Sequence, residues 1–206
     1  MASWYERRIL PKVIDVACGS PAWRPHRRSV VEGASGTVLE IGFGSGHNVA
    51  LYPAEVARLI AVEPAGRAIE LARERIERAP FEVETIDAVG EHLPLPDASV
   101  DCAVSTFTLC TVPDVPAVLA EIRRVLRPGG TFHVLEHGLS DDERVQRAQR
   151  IIEPVQRRIA GGCHTTRHVP TMLSDAGFTW GSMRRWTDGR PKSLTALTLV
   201  VAHVAV

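Results

Sequence analysis

Residues 38–48 read Val-Leu-Glu-Ile-Gly-Phe-Gly-Ser-Gly-His-Asn, an acid followed by three glycines at alternate positions. Glycine lacks a Cβ, so a turn through Gly42, Gly44 and Gly46 can be tight and can let a ligand lie against bare backbone. The carboxylate of Glu40 narrows the chemistry. An anion there serves a dinucleotide phosphate poorly and serves a ligand carrying an amine and a sulfonium well. Further carboxylates recur at intervals, Glu63 at 21 residues past Gly42 and then Asp87. A nicotinamide site would require Gly-x-Gly-x-x-Gly, yet the third position of that pattern is His47. Glu63 could grip a ribose diol in either kind of enzyme and so does not discriminate.

The elements that must position these residues can be read from periodicity. Residues 37–41 form a β-branched apolar run, as a buried strand requires, and the glycine turn is expected to open a helix over 47–53. Strands at 58–62, 81–86, 100–105 and 131–136 are expected to alternate with helices at 66–78 and 114–126. Leu126-Arg127-Pro128-Gly129-Gly130 is read as the stop and turn after the second of these helices. Such alternation implies a parallel sheet with helices on both faces. Helices at 141–160 and 166–176 follow, then strands at 178–186 and 194–204 with no helix between them, which must pair antiparallel. The first 35 residues read as an arm, with helices near 4–16 and 25–32 separated by Gly19-Ser20-Pro21. Residues 1–206 thus form one domain, an arm at 1–35 and an α/β core at 36–206. In that core Glu40 and the glycines end the first strand, Glu63 the second, Asp87 the third, and Ser105-Thr106 the fourth. Ligands of open parallel sheets sit beyond these carboxyl ends.

Glu40-x-Gly42-x-Gly44-x-Gly46 resembles motif I of the class I S-adenosylmethionine (SAM)-dependent methyltransferases. Gly90-Glu91-His92-Leu93-Pro94-Leu95-Pro96-Asp97 is similar to the adenine loop of the branch that methylates quinones and small molecules. Within it, Thr108-Leu109-Cys110-Thr111-Val112, Leu135-Glu136-His137 and Gly162-Cys163-His164-Thr165-Thr166-Arg167 resemble the thiol S-methyltransferases. The resemblance implies a Rossmann-like, seven-stranded, mostly parallel sheet ending in an antiparallel hairpin. It also implies SAM as methyl donor, with S-adenosylhomocysteine as product. Its expected contacts are Glu40, Gly42, Gly44, Ser45, Gly46, Asn48, Glu63, Pro64, Asp87, Ala88 and Thr106, with Glu63 on the ribose and Asp87 on the adenine amine. Vertebrate members carry an apolar anchoring segment at the N-terminus; this sequence has none, so membrane residence is not carried over.

Methyl transfer is a direct displacement that needs an aligned, deprotonated nucleophile. His137 is the candidate for assisting a thiol acceptor, with Glu136, Cys163, His164 and Arg167 nearby in the late loops. Covalent catalysis by Cys163 and a metal at His164/His168 are not expected, since the pair has no third ligand. Trp4, Tyr5 and Trp23 are expected to close the site with apolar rings, which suits a lipophilic small-molecule acceptor. A phospholipid head-group or quinone methyltransferase and a non-catalytic SAM-binding protein are the alternatives.

The 206 residues carry 24 basic and 24 acidic side chains and are 45% hydrophobic, the composition of a water-soluble domain. The balance is uneven. Residues 1–30 hold six Arg/Lys against two acids, 31–143 eight against nineteen, and 144–206 ten against three. Basic ends against an acidic centre can neutralise it, or greet an anionic substrate or a membrane surface. No basic stripe interleaved with aromatics points to nucleic acid. Four scattered cysteines form no disulfide framework, no apolar run reaches the roughly 18 residues of a spanning helix, and a cytoplasmic location is expected.

Overall fold

The computed structural model describes residues 9–204, so the expected rings of Trp4 and Tyr5 lie outside the described residues. The chain begins with α1 (Leu10–Cys18), whose Pro11 sits in the first helical turn, where its missing N–H does no harm. It continues through α2 (Arg24–Val31), β1 (Gly36–Ile41), β2 (Val56–Val62), α3 (Gly66–Glu77), β3 (Glu82–Ile86) and β4 (Val100–Thr106). Then come α4 (Val115–Val125), β5 (Leu126–His137), α5 (Glu143–Ile159), α6 (Val169–Asp175), β6 (Phe178–Thr187) and β7 (Ala196–Val204). The seven strands form one sheet in the order β3-β2-β1-β4-β5-β7-β6. β1 to β5 pair in parallel, and β7 alone runs against its neighbours, between β5 and β6. The α/β class and the final reversed hairpin are as the sequence led one to expect.

Two readings change. The helix expected at 47–53 is only a 3-10 turn, Val49–Leu51. Tyr52 precedes Pro53 and is extended (φ −61, ψ 139), since a residue before proline is driven out of the helical region. The segment 126–130, expected as a turn, belongs to β5. Its pairing with β4 jumps from Val100↔Leu126 to Cys102↔Thr131, and Gly129 supplies a positive φ (+80) at the irregularity.

Strand alternation sends Leu39 and Ile41 to a core under α4 and α6, with Leu119, Ile122, Phe132 and Leu173. Val38 points to the other face, where Val30, Val31, Leu59 and Ala72 close the second core. Glu40 therefore also points into that second face. Coverage is incomplete on α5, where Ile151, Val155 and Ile159 are 80%, 57% and 56% exposed, and on α1, where Val13 and Val16 are exposed. Among the described residues no helix is long and apolar enough to cross a membrane.

Candidate functional site

The chain leaves β1 toward β2 and β3 on one side, whereas β4 and β5 lie on the other, so the switch point lies between β1 and β4. The loop after β1 turns there with Gly42, Gly44 and Gly46 at φ +62, +58 and +77. A Cβ at Gly42 would strike the Thr108 hydroxyl at 2.1 Å, so that glycine is required by the neighbouring loop. At Gly44 the nearest atom would be 3.9 Å away. Gly44 thus borders open space.

That space is a cavity of about 250 Å³ lined by Arg27, Glu40, Gly44, Ser45, Thr106 and Phe107, among others. A second, of about 220 Å³, shares Gly42, Glu63 and Thr108 with it and extends past Pro64 and Ala88. Together they make one groove over the carboxyl ends of β1, β2 and β4. A larger cavity, about 660 Å³, lies between α4 and α6 and holds none of the strand-end acids. α1 roofs the groove through Leu10, Pro11, Ile14 and Cys18. Asp15 ties it down, 3.1 Å from His47 and 3.5 Å from Arg75.

Glu63 lines both cavities. Its carboxylate accepts the N–H of Gly44 at 2.8 Å and that of Ala65 at 2.9 Å. Burial pushes its pKa up, opposed by those two N–H donors. Glu40 is deeper. Asn48 donates to one of its oxygens at 2.8 Å and Tyr52 O–H to the other at 2.7 Å. Asn48 also donates to the Thr106 hydroxyl at 2.9 Å and accepts from Arg27 at 3.0 Å. Asn48, fully buried, therefore braces the floor rather than lining it. Asp87 is exposed at the end of β3 and lines neither cavity.

Arg27, absent from the sequence reading, is buried against this floor. Its guanidinium lies 5.3 Å from the Phe107 ring centroid, and its Nε is buried without a hydrogen-bond partner among the described residues. The signal was present: Arg27 stands three and four residues before buried Val30 and Val31, on the inward stripe of α2.

Burial pushes the Glu40 pKa up from 4.5 to about 7, with Tyr52, Arg27 and Asn48 pulling the other way. A carboxyl raised on folding stabilises the fold fully below about 4.5, and that contribution is lost as pH rises through about 7. The shift is worth about 3 kcal/mol. Relative to Glu40→Gln, the wild-type chain is expected to lose stability by that order between pH 4.5 and 7.5 in urea titrations. A pH-independent difference between the two proteins would refute the buried-acid account.

At the end of β5, Glu136 is fully buried and gathers the next loop. It accepts from Ser105 O–H at 2.8 Å, from Thr108 and Leu109 N–H at 2.7 Å, and from Cys110 N–H at 3.4 Å. Burial raises its pKa, opposed by these donors. His137 is not among the residues lining the groove; its ring stacks on Phe107 at 4.6 Å, with the edge of Trp23 at 6.2 Å. Trp23 packs on this pair of rings, but like His137 it is not among the residues lining the groove. Arg167 donates to the carbonyls of Leu109 and Val112, bracing the loop after β4. His164 pairs with Glu153 at 3.0 Å, and His168 with the Thr171 hydroxyl at 2.7 Å, so the two histidines serve different partners. What does come together is Cys110, His137 and Cys163. With successive members 27 and 26 positions apart, no sequence pattern signals the group.

Residues 39–134 match the family model described as a methyltransferase domain. The human thiol S-methyltransferase TMT1B is 35% identical over 159 residues, 74% of this chain and 65% of that protein. The phosphatidylethanolamine N-methyltransferase of Cereibacter sphaeroides is 30% identical over 135 residues, 63% of this chain and 65% of that protein. The matched stretch spans about 60–65% of the length of such relatives. Among solved structures, a SAM-dependent methyltransferase from Thermotoga maritima described as a possible histamine N-methyltransferase superposes with a TM-score of 0.70 at 22% identity, covering 96% of both chains. The 1,6-didemethyltoxoflavin-N1-methyltransferase of Burkholderia thailandensis, bound to S-adenosylhomocysteine, gives 0.69 at 21% identity over 96% of this chain and 84% of that one.

Proposed function

The chain belongs to the class I SAM-dependent methyltransferases, and from that premise we propose that it methylates a small-molecule thiol. The groove carries the cofactor half of this reading: bare glycine backbone at Gly44, bounded by the carboxylates of Glu40 and Glu63. The residues fit SAM. Glu63 keeps lone pairs for the ribose hydroxyls beyond those its two N–H donors use. Glu40 offers negative charge for the amine, and the unpartnered Nε of Arg27 suits the carboxylate of the same amino-acid group. Gly42, Ser45, Gly46 and Thr106 shape the methionine end over the brace of Asn48. Pro64, Ala88 and Asp87 are assigned to the adenine end. Bound there, SAM supplies a methyl group activated by a sulfonium leaving group.

The thiol half rests on relatives about 35% identical whose names state that acceptor. The acceptor side is apolar, with Trp23 stacked edgewise on Phe107 at 5.3 Å, which suits a lipophilic thiol. One observation favours a second reading, methylation of a phospholipid head group or a quinone at a membrane surface. Ile151, Val155 and Ile159 are exposed on α5, the helix that also carries exposed Arg147, Arg150 and Arg157, and Val13 and Val16 are exposed on α1. The end of α5 meets α1 where a Cβ on Gly161 would lie 3.3 Å from Leu10. These faces flank the roof of the groove.

Two measurements test the proposal. Glu63→Ala removes two charge-assisted bonds worth roughly 1.5–3 kcal/mol apiece at most, so calorimetry should find SAM binding weakened about tenfold or more. An unchanged dissociation constant would mean that the ribose lies elsewhere. Methyl transfer from labelled SAM should then be screened against thiols, quinols, amines and a lipid extract. Turnover of a quinol or amine without any thiol would end the thiol reading, and no turnover with intact SAM binding would favour a non-catalytic protein.

A further inference from the structure

We propose that Cys110, His137 and Cys163 bind a zinc ion whose fourth position receives the acceptor thiolate. One ligand atom from each residue lies within 4.8 Å of the others. In a tetrahedral site with Zn–S near 2.3 Å and Zn–N near 2.0 Å, ligand atoms stand roughly 3.3–3.8 Å apart. Drawing these three onto an ion therefore takes side-chain movements of about an ångström. The cysteines are 2% and 5% exposed and carry free thiols, and Nδ1 of His137 is buried with no hydrogen-bond partner among the described residues. An imidazole that has a buried, unpaired nitrogen and stands next to two thiols is what a ligand set looks like before its ion.

The backbone holds the three in place independently of any ion. Cys110 donates its N–H to Glu136 and accepts at its carbonyl from His164 N–H at 2.7 Å. Cys163 follows the turn after α5, with its N–H on Ala160 O at 3.2 Å. His137 sits in register opposite Leu197 of β7, its ring against Phe107. Two thiolates and one imidazole leave a tetrahedral ion one open position and no net charge, the arrangement of a reactive zinc site rather than a closed structural one.

The place suits the chemistry. Phe107, Thr111 and Gly161 line the 250 Å³ cavity; the first stacks on His137, and the others lie one and two residues from Cys110 and Cys163. Cys18 borders the same cavity. This role rests on the thiol reading. The acceptor R–SH binds as R–S⁻, its proton passing to solvent, because a coordinated thiol is deprotonated outright. The sulfur pair then forms the S–CH₃ bond as the CH₃–S⁺ bond of SAM breaks, its electrons staying on the departing sulfur. The neutral thioether is a poor ligand and leaves. His137 is on this account a ligand and not a proton acceptor.

The test uses the full, reduced chain, stripped by a chelator and titrated with Zn²⁺ against a chromophoric competitor, then with Co²⁺ for its thiolate charge-transfer band. One equivalent should bind. Cys110→Ser, Cys163→Ser and His137→Gln should each weaken zinc at least about 100-fold while SAM affinity, the folding control, stays near wild type. Cys102→Ala, a buried thiol outside the group, should leave zinc binding intact. No uptake of either metal, or uptake indifferent to the three substitutions, overturns the site. Thiol turnover should fall at least about 100-fold on chelation and return with one equivalent of zinc. Full turnover by the stripped protein overturns the activating role and leaves the methyltransferase reading standing. Zinc uptake that follows the three side chains upholds the site even where no thiol is methylated, an outcome that ends the thiol reading alone.

Discussion

Gly44→Val is expected to weaken SAM binding by about 100-fold or more, equivalent to at least about 2.7 kcal/mol. Two effects act together. The residue sits at φ +58, where a β-branched side chain is strained by roughly 1–2 kcal/mol. The larger effect is occupancy: the nearest atom to a Cβ there is 3.9 Å away, so the isopropyl group enters the groove and not the core. The fold should therefore survive with a modestly lower Tm while the ligand loses its seat. Gly42→Ala is the contrast, because its Cβ would lie 2.1 Å from the Thr108 hydroxyl and the damage falls on the fold itself. Calorimetry with SAM and thermal melts on both variants separate the two. SAM binding by Gly44→Val within threefold of wild type would remove the glycine turn as the cofactor's seat.

Glu136→Ala is expected to lower the unfolding free energy by about 4 kcal/mol, a loss reserved for buried polar groups left without partners. The substitution strands Ser105 O–H and the N–H groups of Thr108, Leu109 and Cys110, all buried. Glu136→Gln is the discriminating partner. The three shortest bonds all reach the same oxygen, Oε1, which an amide carbonyl can replace. Only the 3.4 Å contact from Cys110 then meets an amide nitrogen. Urea unfolding should place the Gln variant much nearer wild type than the Ala variant. Equal losses in the two would show that volume, not hydrogen bonding, is what Glu136 contributes.

Much of this protein is legible in one dimension. Alternating strands and helices, the three glycines and the acid ending each early strand are local patterns of period 2 or 3.6, and one pairing rule carries them to one edge of a sheet. The reversed hairpin follows from two strands with no helix between them. Local pattern failed at 47–53, where the glycine turn was expected to open a helix but Pro53 and the bonds of Asn48 and Tyr52 to Glu40 held the segment open. The roles of the site residues were still less local. Glu40 became a buried acid because strand alternation turned it under Asn48, and Arg27 reached the same floor from another helix. Cys110, His137 and Cys163 meet only because β4, β5 and the turn after α5 end at the same side of the sheet. Sequence sets what each residue can do chemically, but spacings of 27 and 26 residues carry no geometry until strand order closes them.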